Sequence, residues 1–224
     1  MNTSRNIFGF VTLVFACILP ATAMAENTFQ IGGAVGLQSK QLEYQFVGIN
    51  IKPTFQTAVY SLATSYGQFF ANAELEMMLE GDTQFVGNPG SGGTASTTTT
   101  IQSKRSDSAA TLGYNPWRGL SVFAGYKLGE TESNLSPTDG GVLKFIFSQK
   151  GPFAGVAYGQ SIGSKGSIAF SAAYASLRGE VDVRFIGPGT SFTTGGTTSG
   201  LSYGISWTGV LSERAYYRLS FKIV

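Results

Sequence analysis

The stretch Phe29-Gln30-Ile31-Gly32-Gly33-Ala34-Val35-Gly36-Leu37-Gln38 decides the fold. Phe29, Ile31, Gly33, Val35 and Leu37 fall on one parity, and Gln30, Gly32, Ala34, Gly36 and Gln38 fall on the other. A period of two belongs to an extended strand, whose successive side chains point to opposite faces. The same period returns at Leu201, Tyr203, Ile205 and Trp207 against Ser202, Gly204, Ser206 and Thr208. It returns again at Tyr217, Leu219, Phe221 and Ile223 against Tyr216, Arg218, Ser220 and Lys222. One face is therefore greasy, and the other is small, polar and sparsely charged.

Bulk composition says which way such strands turn. Charged residues make up 12% of the chain, against about 25% in soluble domains, so a water-soluble sheet of this size would lack the charge to cover its outside. The apolar fraction is 42%, and no segment after residue 25 is greasy enough to span a bilayer as a helix. A closed antiparallel transmembrane β-barrel reconciles the two, showing apolar side chains to lipid and small polar ones to a lumen. The net charge of +2 offers no surface for a polyanion, so no nucleic-acid partner is expected.

Met1 to Ala25 has the layout of a cleavable export signal: Arg5, an apolar run from Ile7 to Leu19, Pro20, then Ala23-Met24-Ala25. Residues 26–224 are then expected to form a single barrel domain. A competing reading makes Cys17 a lipoprotein acceptor, although Phe15 fits a lipobox poorly. Cys17 is the only cysteine, so residues 26–224 can form no disulfide or thiolate metal site.

Four short connections punctuate the strands: Ser65 to Gln68, Asn115 to Gly119, Ser161 to Gly166, and Gly209 to Arg214. Longer turn-rich stretches lie between them, roughly Ser39 to Lys52, Asp82 to Thr100, Glu130 to Gly141, and Ile186 to Ser199. Alternation of short and long connections is the rhythm of an outer-membrane barrel, with short periplasmic turns and long outer loops. Gly87 to Thr100 is rich in Gly, Ser and Thr and reads as a solvated outer loop. Trp117 and Trp207 both adjoin short turns and are expected at one membrane interface. Nine strand segments are legible, near 29–38, 53–64, 69–80, 101–114, 120–129, 142–160, 168–184, 199–208 and 215–224. Bacterial single-chain barrels have even strand numbers, so the expectation is 8 to 10.

On these residues the chain resembles the small outer-membrane β-barrel proteins of Gram-negative bacteria, such as the OmpA membrane domain and OmpW-like porins. The resemblance implies outer-membrane lipid, periplasmic chaperones and the barrel-assembly machinery as partners, with small solutes as cargo. Members of that group commonly finish on an aromatic residue, whereas this chain ends at Val224 with Phe221 as its nearest aromatic.

Candidate chemistry is thin. The chain has no histidine, so an imidazole general base is excluded, and neither a cofactor nor a metal site is expected. The charged residues expected inside the barrel are Glu74, Glu76, Arg105, Asp107, Lys127, Arg218 and Lys222. Two carboxylates two residues apart suit acid–base work or a divalent cation, but in a narrow lumen Glu–Arg and Glu–Lys pairs serve better as structural cross-braces. In a ten-stranded barrel the same residues line a slim water path. Arg178, Glu180, Asp182 and Arg184 sit on the parity opposite Ala169, Ser171, Ala173 and Ala175. Either a bulge intervenes near Leu177, or the strand has by then left the membrane.

The leading expectation is a non-enzymatic outer-membrane barrel, a narrow porin-like channel or a structural membrane component. The alternative is a surface-exposed adhesin or ligand-binding barrel using its outer loops. A soluble lipocalin-like barrel is a third reading, in which Leu201, Tyr203, Ile205 and Leu219 would share a common core.

Overall fold

The computed structural model of the chain describes residues 9–17, 29–41, 44–46, 49–51, 54–80, 82–87, 97–135, 142–163, 166–186, 191–212 and 215–223. They form β1 (Gly9–Cys17), β2 (Phe29–Gln41), β3 (Tyr44–Phe46), β4 (Ile49–Ile51), β5 (Thr54–Tyr66), β6 (Phe69–Glu80) and β7 (Asp82–Gly87). The remainder are β8 (Thr97–Trp117), β9 (Leu120–Leu135), β10 (Val142–Ser161), β11 (Ser167–Ile186), β12 (Ser191–Ser212) and β13 (Ala215–Ile223). The nine strands β2, β5, β6 and β8 to β13 fall on the nine alternating segments of the sequence. Each pairs antiparallel with the next of the nine, giving one curled all-β sheet.

Those nine strands do not close a barrel, which corrects the closed ring expected from the alternation. Eight antiparallel steps leave the two edge strands, β2 and β13, running in the same direction, and an all-antiparallel ring needs an even number. No β2–β13 pairing occurs among the described residues. Instead β1 lies between the edges and runs antiparallel to both, with Leu13 opposite Leu37 on one side and Leu219 on the other. Most of the expected leader outside Gly9–Cys17, including its Ala23-Met24-Ala25 site, lies outside the described residues.

The connections alternate as expected, but the long ones are shorter than the sequence suggests. Tyr66 and Phe69 flank a two-residue turn in which Gly67 takes φ 57°, and Trp117 and Leu120 flank another in which Gly119 takes φ 84°. Both values lie in the left-handed region that favours glycine. At the other end, Glu130–Leu135, Thr97–Thr100 and Ser191–Ser199 are paired strand rather than loop. Gly87 pairs with Thr97, so of the Gly87–Thr100 loop only residues 88–96 fall outside the described strands. Threonine explains the difference, since its branched Cβ suits an extended backbone even where nothing apolar is buried.

The greasy parity points away from the concave side. Leu201 is 54% exposed and Leu219 44%, and Tyr203, Ile205, Phe29, Leu62, Tyr126 and Tyr174 are exposed as well. Ser202, Gly204 and Ser206 are half-buried on the opposite face. Among the described residues the buried apolar side chains are only Ala34, Phe55, Ala58, Val59 and Val183. The common core of Leu201, Tyr203, Ile205 and Leu219 that the lipocalin-like reading requires is not formed.

On the convex face of the long strands the polarity then inverts. Leu128, Tyr126, Pro152, Tyr174 and Leu201 give way to Glu130, Ser148, Lys150, Arg178, Glu180 and Thr197, in rows matched strand by strand. The pairing of β11 with both neighbours keeps one register throughout. No bulge therefore lies near Leu177, and Arg178, Glu180, Asp182 and Arg184 stand on the convex parity beyond the apolar rows.

Candidate functional site

All seven charged residues expected inside stand on the concave parity. Glu74 and Glu76 come from β6, Arg105 and Asp107 from β8, Lys127 from β9, and Arg218 and Lys222 from β13. Their convergence is more than a matter of parity. The charge of Glu74 acts on Arg218, although neither strand carrying them pairs with the other. The curl of the sheet turns both toward its concave side.

Arg105 binds the carboxylate of Asp107 on its own strand in a bidentate fork, Nε to Oδ2 at 2.8 Å and Nη2 to Oδ1 at 2.9 Å. Its Nη1 donates to Thr131 Oγ1 at 2.8 Å. Arg105 is 7% exposed and Asp107 5%, so the pair is desolvated, a cost that its matched donors and acceptors offset. Glu76, equally buried, accepts from Thr57 Oγ1 at 2.6 Å. Glu76 and Asp107 are directly opposed across the β6–β8 ladder, and the Arg105 guanidinium supplies the positive charge that two neighbouring carboxylates require. Ser103 and Ser133 share a hydrogen bond of 2.9 Å, and Arg218 Nε donates to Thr208 Oγ1 at 3.3 Å.

Sequence reasoning missed Thr57, Thr131 and a set of inward aromatic rings. Phe70 is paired with Gly113, Phe123 with both Gly113 and Gly155, and Phe153 with Gly125. Each ring lies flat over a glycine: a Cβ built at Gly155 would come 2.6 Å from the Phe123 ring, and those at Gly113 and Gly125 would overlap Phe70 and Phe153. Phe123 and Phe153 also meet edge to face, with centroids 6.4 Å apart. Folding the rings onto bare backbone packs them along the wall instead of across the space. The signal was present as Phe and Gly on one parity, but only the register shows which glycine receives which ring.

Chemically the interior can hold water and bind or repel ions. Among the described residues no group of three or more His, Cys, Asp and Glu side chains assembles for a metal. Trp117 and Trp207 lie at the end of the sheet that bears the short turns, both exposed on the convex face. Phe29, Tyr66, Phe69, Tyr114, Tyr158 and Phe170 share that face and that end, and Phe69 and Tyr114 touch with ring centroids 5.1 Å apart.

No protein-family model matches the chain, and no curated protein matches it in sequence. Among solved structures it is similar to BauA, the ferric preacinetobactin receptor from Acinetobacter baumannii, at 13% identity with a TM-score of 0.36. That likeness covers 99% of this chain and 42% of the receptor, so the chain spans less than half the length of its structural neighbour.

Proposed function

We propose that the chain is an outer-membrane β-barrel of a Gram-negative cell envelope, acting as a narrow, porin-like channel or as a structural component of that membrane. The observation that carries this reading is the division of each strand into an exposed apolar face and a concave polar one, which is stable only where the outside is hydrocarbon. Exposed stretches such as Leu201–Leu211 match the roughly 9 to 11 residues that a tilted strand needs to cross. Closure takes one strand more than the nine; Gly9–Cys17, a segment of the expected leader, pairs with both edges. A ten-stranded ring with its Phe rings packed on wall glycines leaves a slim water path past Arg105, Glu74 and Arg218. Trp117 and Trp207 then anchor the short-turn end at the periplasmic interface.

Refolded protein is tested first by migration on a gel, unboiled against boiled, and then by planar-bilayer recording. A heat-modifiable band with small, discrete conductance steps is expected. A folded band without conductance above background retires the channel and leaves the structural role.

A surface-binding role is supported by one feature, the polar sheet of β8 to β12 that continues past the apolar rows. Its β11–β12 part forms a shallow groove lined by Arg178, Glu180, Thr193 and Thr197.

A further inference from the structure

Lys150 on β10 and Arg178 on β11 are directly opposed in the ladder, and both are exposed on the convex face. Like charges so placed repel each other. The other like-charged pair opposed on this part of the sheet shows how such repulsion is relieved. Lys144 and Arg184 are also directly opposed. There, however, Lys144 Nζ binds Glu132 at 2.8 Å and Arg184 Nη2 binds Asp182 at 2.6 Å. Lys150 and Arg178 have no such partner among the described residues. The carboxylates nearest them in the ladder, Glu130 beside Ser148 and Glu180 two residues along from Arg178, bridge to neither.

The position of the pair is as informative as its lack of a bridging carboxylate. Lys150 is flanked by Leu128 on β9, and toward the short-turn end the convex face becomes Tyr126 and Pro152 one step on and, past Ser176, Tyr174 two steps on. Tyr126, Leu128 and Tyr174 are all exposed. Lys150 thus stands directly above an apolar wall, with Arg178 beside it and one serine row from Tyr174. An amphiphile with an anionic head and hydrocarbon tails matches that order of chemistry, its head between the cations and its tails along the rings.

We propose that Lys150 and Arg178 form a docking site for the phosphate headgroup of an anionic lipid, in the leaflet on the long-connection side of the barrel. The site rests on the membrane reading above. Its occupant is a lipid phosphate rather than a free anion, because the cations adjoin the apolar wall and face away from the interior.

The test uses the full chain refolded into phosphatidylcholine vesicles, with or without a minor fraction of phosphatidic acid, then extracted gently and weighed by native mass spectrometry. Wild type should retain phosphatidic acid on the order of tenfold over phosphatidylcholine, from two cations each adding attraction for an anionic head. K150Q/R178Q should lose that preference, whereas K144Q/R184Q should keep it; gel heat-modifiability shows that each variant is folded, and the single variants K150Q and R178Q should give intermediate retention. Equal retention of phosphatidic acid by wild type and K150Q/R178Q would overturn the proposal. So would inorganic phosphate, added to phosphatidylcholine vesicles, raising the gel transition temperature of wild type as much as phosphatidic acid does. A wild-type chain that inserts and shows no preference sinks this site alone, while one that associates with neither vesicle removes the membrane reading as well.

Discussion

The long side of the sheet and the short side solve different problems. Strands β8 to β12 run 16 to 22 residues, about twice what a bilayer crossing needs. Their outer halves carry Lys144, Glu132, Asp182 and Arg184 on the convex face where their inner halves carry Tyr126, Val156 and Phe170. Strands β2, β5, β6 and β13 run 9 to 13 residues and stop near the apolar rows. The long side is thus an apolar wall continued as a polar sheet, knit by two full ladders on each of β9 to β11. The short side is a wall alone, and both edges of the nine-strand sheet lie in it. What the difference teaches is that length beyond the membrane has to be held by pairing with neighbours of equal length, and such neighbours exist only from β8 to β12.

The edges give the largest effect with which to break this comparison. A chain beginning at Glu26 leaves β2 and β13 without the partner that Gly9–Cys17 provides. Each backbone group left unpaired against hydrocarbon costs on the order of several kcal/mol. Hydrogen exchange on that chain should show rapid exchange at the outward amides of Phe29–Gln41 and Ala215–Ile223, with β9 to β11 protected as in the full chain. Full protection of β13 would mean that its edge finds another partner, and the short side would then be no weaker than the long.

Glycine spacing offers the next contrast. A methyl at Gly125 on β9 would run into the Ala110 carbonyl and the Phe153 ring, whereas one at Gly33 on β2 would sit 3.7 Å from the Ser61 carbonyl, an ordinary contact. G125A should therefore destabilise the barrel by about 2 kcal/mol, the usual scale of overpacking, while G33A stays within about 0.5 kcal/mol. Urea unfolding of both variants in vesicles, followed by Trp fluorescence, compares them directly. Equal losses would show that the rings on the long side have room to move.

Charge burial sharpens the same comparison at a similar or smaller scale. D107N on the long side removes the bidentate partner of Arg105, leaves Glu76 as the neighbouring carboxylate, and should cost about 2 kcal/mol. T57V on the short side removes one hydrogen bond from buried Glu76 and should cost about 1 to 2 kcal/mol. If T57V proves the more damaging, Glu76 rather than Arg105 is the group that organises the interior.

How much of this was legible in the sequence depended on where a residue sits relative to hydrocarbon. Inside the apolar rows, Phe29–Gln38 and Leu201–Thr208 announce both strand and face, because lipid demands large side chains at every second position and the concave side leaves room only for small ones. The shared face of the seven charges was readable from alternation. Beyond those rows both faces of Ser191–Ser199 are Ser, Thr, Gly or a single Phe, a composition that a loop shares, so paired strand there read as loop. Bonding partners were illegible for another reason. That Thr57 meets Glu76, or that Phe123 lies over Gly155, depends on register between strands, which no single segment encodes.

The smallest effect separates the polar extension from the wall beneath it. Lys144 Nζ donates a hydrogen bond to Glu132, and this bond, aided by the Lys144 charge, holds the Glu132 carboxyl below its ordinary value of 4.5. A carboxyl lowered in the folded state adds stability above its unfolded value, and the addition is lost as pH falls through the folded one. Both side chains are partly exposed, so the pair contributes under about 1 kcal/mol near neutrality. K144Q should be less stable than wild type by that amount at pH 7, with the gap closing below pH 4.5 as Glu132 protonates in both proteins. Carbon-detected NMR titration should place the K144Q Glu132 carboxyl higher than the wild-type one, while Asp107 inside the wall stays bound to Arg105 in both. A wild-type carboxyl that already titrates at its ordinary value would mean that the outer half of β9 and β10 frays in solution. The polar extension would then be held by its inner ladder and not by its surface charges.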